Sequence, residues 1–449
     1  MKRVLVANRG EIAVRVVRAA RELGLESVVA VSAADRDSLA ARLADRAVCI
    51  GPARPADSYL NQDALLAAAL GTGADAVHPG YGFLAENAAF AEACEKEGLT
   101  FVGPRSESVH AMGNKLAARE AAARAGVPLV PGSDHIAAFS DAASVAGEIG
   151  YPVLFKAAAG GGGRGIRIVH DESGLEAAFR GASAEAAAAF GDSTLYLERY
   201  VTSGRHIEVQ VIGDRTGRVL HLGERDCSLQ RRYQKVLEEA PAAAVPDHAR
   251  RAIHRSAVLL AEAIGYLNAG TVEFLYDEDR DEHYFLEMNT RIQVEHPVTE
   301  MITGLDLVRL QLQVAAGDPL PLTQDRVTSS GHAIECRINA EAPDRGFTPS
   351  PGRITRWEPP EGPGVRLDTH CFEGYVVPPF YDSLLGKLVV HGSDRTEALA
   401  RTRAALRSFT VEGVATTIPF HSWLLDQDDV VTGRFSTRWL EARLPEFTG

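Results

Sequence analysis

Four consecutive glycines at residues 160–163 lie between Lys156 and Arg164 in the stretch FKAAAGGGGRGIRIV. Without side chains in the way, the backbone N–H groups of such a run can lie flat on a polyphosphate, with the two cations close by. It is not a Walker loop: no Lys-Ser/Thr follows the glycines, and the residues after them read as a strand rather than a helix. A bare hairpin tip would carry the same glycines, but the flanking Lys and Arg favour phosphate contact.

A second constellation surrounds the acidic turn at 277–282 (DEDRDE). If the flanking strands fold symmetrically, Glu273 lies across from Glu287. Two carboxylates at ~4 Å repel by about 4 kcal/mol at an effective dielectric of 20, so something must offset them. A divalent cation does so, and hard oxygen ligands beside a phosphate loop suit Mg²⁺; a solvated pair at a sheet edge is the alternative. Just downstream, Arg291, Gln293 and Glu295 fall two residues apart. If extended, they share a face and form an anion clamp with a candidate base, although a solvated strand face has the same pattern. Glu335, Arg337 and Asn339 alternate with apolar residues in the same way, as the wall of a cleft would. The run 224–235 (ERDCSLQRRYQK) is either exposed surface or part of a site. Tyr81 lies on a Pro/Gly-marked turn, where ligands or ordinary packing both place aromatics.

These residues need elements to hold them. Up to about residue 113, short apolar runs at 4–7, 27–31, 74–77 and 100–102 alternate with helical stretches, which predicts a doubly wound parallel sheet. The turn Asn8-Arg9-Gly10-Glu11 has one glycine where a dinucleotide fingerprint needs three, so it is not read as one. A helix at 115–125 precedes a region of strands (152–157, 166–169, 195–200, 207–212, 218–223, 271–276, 284–289) with helices at 248–264 and 299–316. That is an α+β domain. A third, mixed α+β region begins near Gly331, with a Pro/Gly-dense loop, a strand at 387–391 and a helix at 395–409. The expected domains are 1–113, 114–330 with a lid at about 131–203, and 331–449.

Composition narrows the function. Lys+Arg total 47 against Asp+Glu 60, a formal charge of -13, which disfavours nucleic acid as a partner. The 5 cysteines (Cys49, Cys94, Cys227, Cys336, Cys371) are scattered without C-x-x-C spacing, against a disulfide framework or a thiolate zinc site and in keeping with a reducing cytosol. Arg9, Glu11 and Arg15 interrupt any signal-peptide core, and no apolar stretch approaches the roughly 18 residues needed to span a bilayer. A cytoplasmic protein with no membrane partner is expected.

Taken together the motifs resemble the biotin carboxylase family, the ATP-grasp subunit of acetyl-CoA carboxylase and related acyl-CoA carboxylases. The likeness runs nearly end to end, through 7–13 (ANRGEIA), 78–84 (HPGYGFL), the glycine loop, 224–228 (ERDCS), 238–241 (EEAP), 287–291 (EMNTR), 293–297 (QVEHP) and 331–337 (GHAIECR). The resemblance implies a pre-ATP-grasp domain, an ATP-grasp domain with a mobile lid, and a mixed C-terminal domain. It implies ATP-dependent carboxylation of biotin by bicarbonate through carboxyphosphate. ATP would be bound by Lys115, Lys156, Gly162, Gly163, Arg164, Gly165, Glu198, Arg199, Val201, His206, Gln230 and Lys235, with Glu273 and Glu287 meeting it through Mg²⁺ or Mn²⁺. The metal ligands would be Glu273, Glu287 and Asn289. Glu295 would deprotonate bicarbonate, held by Arg291, Gln293, the Val294 backbone and Lys235; Arg337 would stabilise the biotin enolate, with Tyr81 beside the biotin. None of the 4 methionines sits in a Met-Lys-Met hairpin, so biotin is expected on a separate biotin carboxyl carrier protein, with a carboxyltransferase subunit as a further partner. A homodimer is also implied. Three positions depart from the family pattern: Tyr233 stands where many relatives have His and is given no phosphate role, Asn114 stands where Asp is frequent, and Pro363 replaces an aromatic at the usual dimer interface. The alternatives are an ATP-grasp ligase for another carboxylate, disfavoured by the Glu295/Arg337 pairing, and a non-catalytic ATP-binding regulator, disfavoured by the full set of acidic and basic groups.

Overall fold

The first apolar run becomes the strand Arg3–Val6 at the centre of a five-stranded sheet. In order, the strands are Arg46–Gly51, Glu26–Ser32, Arg3–Val6, Ala76–His78 and Thr100–Phe101, every pair parallel. The helix Gly10–Glu22 buries Ile12, Val16, Val17 and Ala20 as its spacing requires. Strand order reverses on the two sides of Arg3–Val6, and beyond its carboxyl end Asn8 Nδ2 donates to the carbonyls of Pro79 and Tyr81, both at 2.7 Å. Gly80 is needed there: its φ is +61°, and a Cβ would stand 2.9 Å from Asn8 Nδ2.

The computed structural model describes residues 1–136, 138–157, 167–190 and 193–448. These form two units: Met1–Val127 with Arg205–Leu275 and Leu286–Gly449, and Pro128–Gly204 with Tyr276–Phe285. In the first unit, an eight-stranded sheet runs in the order Glu282–Asn289, Asn268–Asp277, Gly204–Gly213, Val219–Arg231, Gln234–Ala240, His332–Asn339, Leu384–Gly392, Val365–Thr369, the first two strands reaching into the second unit at the turn that joins them. Gln234–Ala240 pairs antiparallel with His332–Asn339, so one sheet continues across residue 331, where composition alone marks a change of region. Along His332–Asn339 the alternation works as expected. Ile334, Cys336 and Ile338 join Leu229, Leu237, Leu388 and Phe420 in an apolar core, leaving Glu335 and Arg337 on the opposite face.

The expected single helix at 299–316 is two, His296–Thr303 and Leu307–Ala316. Gly304 (φ 70°) ends the first in the left-handed region, and the Asp306 side chain caps the second by accepting from Arg309 N at 2.7 Å. The second unit holds a four-stranded sheet in the order Gly132–Ile136, Leu195–Arg199, Val153–Ala157, Arg167–Val169, backed by the helices Phe139–Ile149 and Leu175–Phe190 around Val153, Phe155, Leu195 and Leu197. Among the described residues no helix is long and apolar enough to cross a membrane.

Candidate active site

Lys235 organises the first unit's polar centre. The strands Val219–Arg231 and Gln234–Ala240 are joined by Arg232 and Tyr233, both at positive φ (50° and 63°), a tight hairpin that sets Lys235 opposite Gln230. The Lys235 Nζ donates to Glu208, to Glu273 Oε1 at 3.1 Å and to Glu295 Oε1 at 2.6 Å. Glu295 is fully buried at the start of the helix His296–Thr303. Its other oxygen accepts from Arg337 Nη2 at 2.9 Å, and Arg337 Nε donates to Glu238 Oε1 at 2.6 Å. Burial opposes ionisation of Glu295, but Lys235, Arg337 and Arg225 outweigh it and hold the carboxyl well below the usual carboxylate range. Arg225, itself fully buried, donates to Glu208 Oε1 at 2.5 Å, Gln210 at 2.9 Å and Thr299 at 2.9 Å.

Glu273 is the second hub. Its Oε1 accepts from Asn289 Nδ2 at 2.8 Å and Gln293 Nε2 at 3.0 Å, and its Oε2 lies 2.9 Å from His206 Nε2. Against burial, Lys235 and His206 keep it strongly acidic. Gln230 Nε2 meets His206 Nδ1 at 3.0 Å and donates to the Cys227 carbonyl at 2.8 Å. Arg291 donates to Glu86 Oε2 (2.8 Å), Gln293 Oε1 (2.9 Å) and Asn289 Oδ1 (3.1 Å). At Glu287, desolvation and the neighbouring Glu273 push the carboxyl up, while Lys115 and His206 pull the other way. Carboxylate and amide oxygens are hard donors, so by donor chemistry Glu273, Glu287 and the Asn289 amide suit a hard divalent ion. His206, Glu208 and Glu273 also bring ligand atoms within 4.8 Å of one another. Tyr81 donates to Glu11, and burial followed by that carboxylate pushes its phenol well up.

In the second unit, Lys156 Nζ donates to Glu198 Oε2 at 2.5 Å across paired strands, Arg199 Nη1 donates to Tyr284 Oη at 3.0 Å, and Val201 is buried. Gly162, Gly163, Arg164 and Gly165 lie outside the described residues.

One conditional reading needs correction, and one open alternative is decided. Arg291, Gln293 and Glu295 do not lie on an extended strand; 291–295 is loop and turn, and its curvature brings Gln293 to Glu273 and Glu295 to Lys235. The run 224–235 is not a solvated face either: Glu224, Arg225, Asp226, Ser228 and Gln230 are buried, and only its tip is open, with Tyr233 81% exposed. Sequence reasoning missed Glu208, Glu238, Glu86, Glu11 and Lys387. The alternation of His206, Glu208 and Gln210 along Gly204–Gly213 was a signal that could have found Glu208.

Comparison with known proteins identifies the family. Three family profiles match in succession: Biotin carboxylase, N-terminal domain over 1–109; Carbamoyl-phosphate synthase L chain, ATP binding domain over 114–323; and Biotin carboxylase C-terminal domain over 335–442. The chain is 53% identical over 442 residues to Biotin carboxylase 1 of Bacillus subtilis, covering 98% of each. The chain belongs to the biotin carboxylase family. Like other biotin carboxylases it is an ATP-dependent ligase that carboxylates biotin. It is also similar to the biotin carboxylase of Pseudomonas aeruginosa, with 51% identity over 446 residues and 99% of each chain covered. Among solved structures, it superposes on the biotin carboxylase domain dimer of Hydrogenobacter thermophilus 2-oxoglutarate carboxylase, in complex with MgADP, ADP and bicarbonate (TM-score 0.87, 48% identity, 98% of this chain and 97% of that one).

Proposed function

We propose that Glu295 is the base of this biotin carboxylase, taking the proton of bicarbonate as the anion attacks the γ-phosphate of ATP. The observation that carries this reading is the Glu295 carboxylate, buried and gripped by Lys235 at 2.6 Å and Arg337 at 2.9 Å. A carboxylate so held stays ionised at neutral pH, and a bound anion that competes for the same two cations weakens their grip and raises its proton affinity. Arg291, Gln293, the Val294 backbone and Lys235 hold bicarbonate and then carboxyphosphate, which releases CO₂ and phosphate. The phosphate takes the ureido proton of biotin, Arg337 neutralises the resulting enolate, whose nitrogen then bonds to the CO₂ carbon, and Tyr81 lies beside the ring.

ATP is bound by Lys115, Lys156, the loop residues Gly162, Gly163, Arg164 and Gly165, and by Glu198, Arg199, Val201, His206, Gln230 and Lys235. Residues 131–203 act as the lid. Glu273, Glu287 and Asn289 would hold Mg²⁺ or Mn²⁺, which when bound would supply neutralisation of developing phosphate charge. The Mg²⁺ salt of ADP and the bicarbonate in the Hydrogenobacter thermophilus complex support these assignments. Biotin arrives on a separate carboxyl carrier protein, and a carboxyltransferase passes the carboxyl group to an acyl-CoA or a keto acid; the dimeric relative supports a homodimer. Bicarbonate-dependent ATP hydrolysis stimulated by free biotin is the direct test. Purified protein inert in that assay with Mg²⁺ present would refute the reading.

A further inference from the structure

Lys387 lies on the strand Leu384–Gly392, paired with Arg337 across the sheet, and is fully buried. Its Nζ donates to the Val294 carbonyl at 2.9 Å and pairs with Glu11 Oε1 at 3.0 Å; Asp368 Oδ2 is 4.0 Å away. Glu11 in turn accepts from the Tyr81 hydroxyl. The Val294 carbonyl belongs to the peptide plane that carries the Glu295 N–H, at the turn entering the helix His296–Thr303. While Lys235 and Arg337 hold the Glu295 carboxylate, Lys387 therefore holds its backbone.

From this geometry we propose that Lys387 is a positioning residue that sets the Val294–Glu295 peptide, and hence the reach of Glu295, with Glu11 aiming the lysine. The inference rests on Glu295 being the base. A buried ion pair could instead serve only as mutual charge compensation between Lys387 and Glu11. The two roles differ in one respect: compensation is satisfied when both charges are removed, since Asp368 keeps Arg366 at 2.7 Å, whereas the Val294 carbonyl still loses its donor.

The experiment compares Lys387→Met, Glu11→Gln and the double variant with the parent in thermal unfolding and biotin-carboxylation kinetics. Glu11→Gln keeps an acceptor for Tyr81. The expected result is a low Tm for Lys387→Met, recovered largely in the double variant, with kcat in the double variant still lowered about 100-fold and the KM for ATP unchanged; a displacement near 1 Å is enough for such a loss. Parent-like kcat in the double variant would overturn the proposal, as would a double variant that fails to fold, since Lys387 would then be a requirement of the fold alone. Glu295→Ala, run alongside, separates the two readings: full turnover in that variant sinks the base assignment itself, whereas its loss together with full turnover in the double variant sinks only the role of Lys387.

Discussion

Lys235 shows how few groups decide this site: one ammonium is shared by the carboxylates of Glu208, Glu273 and Glu295, which come from three separate stretches of chain. Each carboxylate alone would be costly to bury; Lys235 lies between all three, while Arg225 also meets Glu208 and Arg337 also meets Glu295. Arg337 in turn is shared by Glu238 and Glu295. At this scale Glu295→Ala and Arg337→Ala are each expected to lower kcat by about 100- to 1000-fold, the loss typical of one removed preorganised group, while ATP affinity changes little. Steady-state kinetics with nucleotide binding measured separately checks both, and unaltered turnover in either variant removes that residue from the chemistry.

At the scale of elements, Glu239 joins two strands and a helix. From Gln234–Ala240 it meets His332 Nε2 at 2.7 Å on the adjacent strand and Arg395 Nε at 2.6 Å on the helix Arg395–Ser408, while Arg395 also donates to the Val430 and Val431 carbonyls. Burial pushes the Glu239 carboxyl up, but His332 and Arg395 bring it from its ordinary 4.5 down to about 2. Because the folded value is the lower one, the stabilisation is present in full above about pH 4.5 and is lost as pH falls toward 2. Unfolding free energies from urea titrations between pH 5 and pH 3 should therefore fall more steeply for the parent than for Glu239→Gln, by up to about 1.4 kcal/mol per pH unit. Equal slopes would show that the contact contributes nothing differential.

At the scale of the molecule, Glu300 is the knot between distant parts of the first unit. Its oxygens meet Arg15 at 2.9 Å, on the first helix, and Arg366 at 2.8 Å, in the outermost strand Val365–Thr369 of the large sheet. Glu300→Ala leaves both cations without this partner, though Asp306 still reaches Arg15 and Asp368 still reaches Arg366. The expected cost is about 3 kcal/mol, the lower end for breaking a buried pair. Denaturant titration gives that number. Amide exchange should show faster opening both in Gly10–Glu22 and in Val365–Thr369, and acceleration confined to one of them would contradict the linking role.

What the sequence by itself determined was chemistry carried on contiguous stretches. The apolar alternation at 334–338 is legible in its periodicity, which is a local property of backbone geometry, while the carboxylates Glu273 and Glu287 and the motif at 287–297 are legible in their residue types. Tertiary structure alone decided that 291–295 curves rather than extends, that the charged run at 224–230 is buried, and that Glu208, Glu11 and Lys387 face the centre. Glu11 and Lys387 stand 376 positions apart in the chain yet form one ion pair at 3.0 Å. No local pattern encodes such a meeting. It follows from how the helix Gly10–Glu22 packs on the strand Leu384–Gly392, and that packing is set by burial of the whole apolar surface, to which every element contributes.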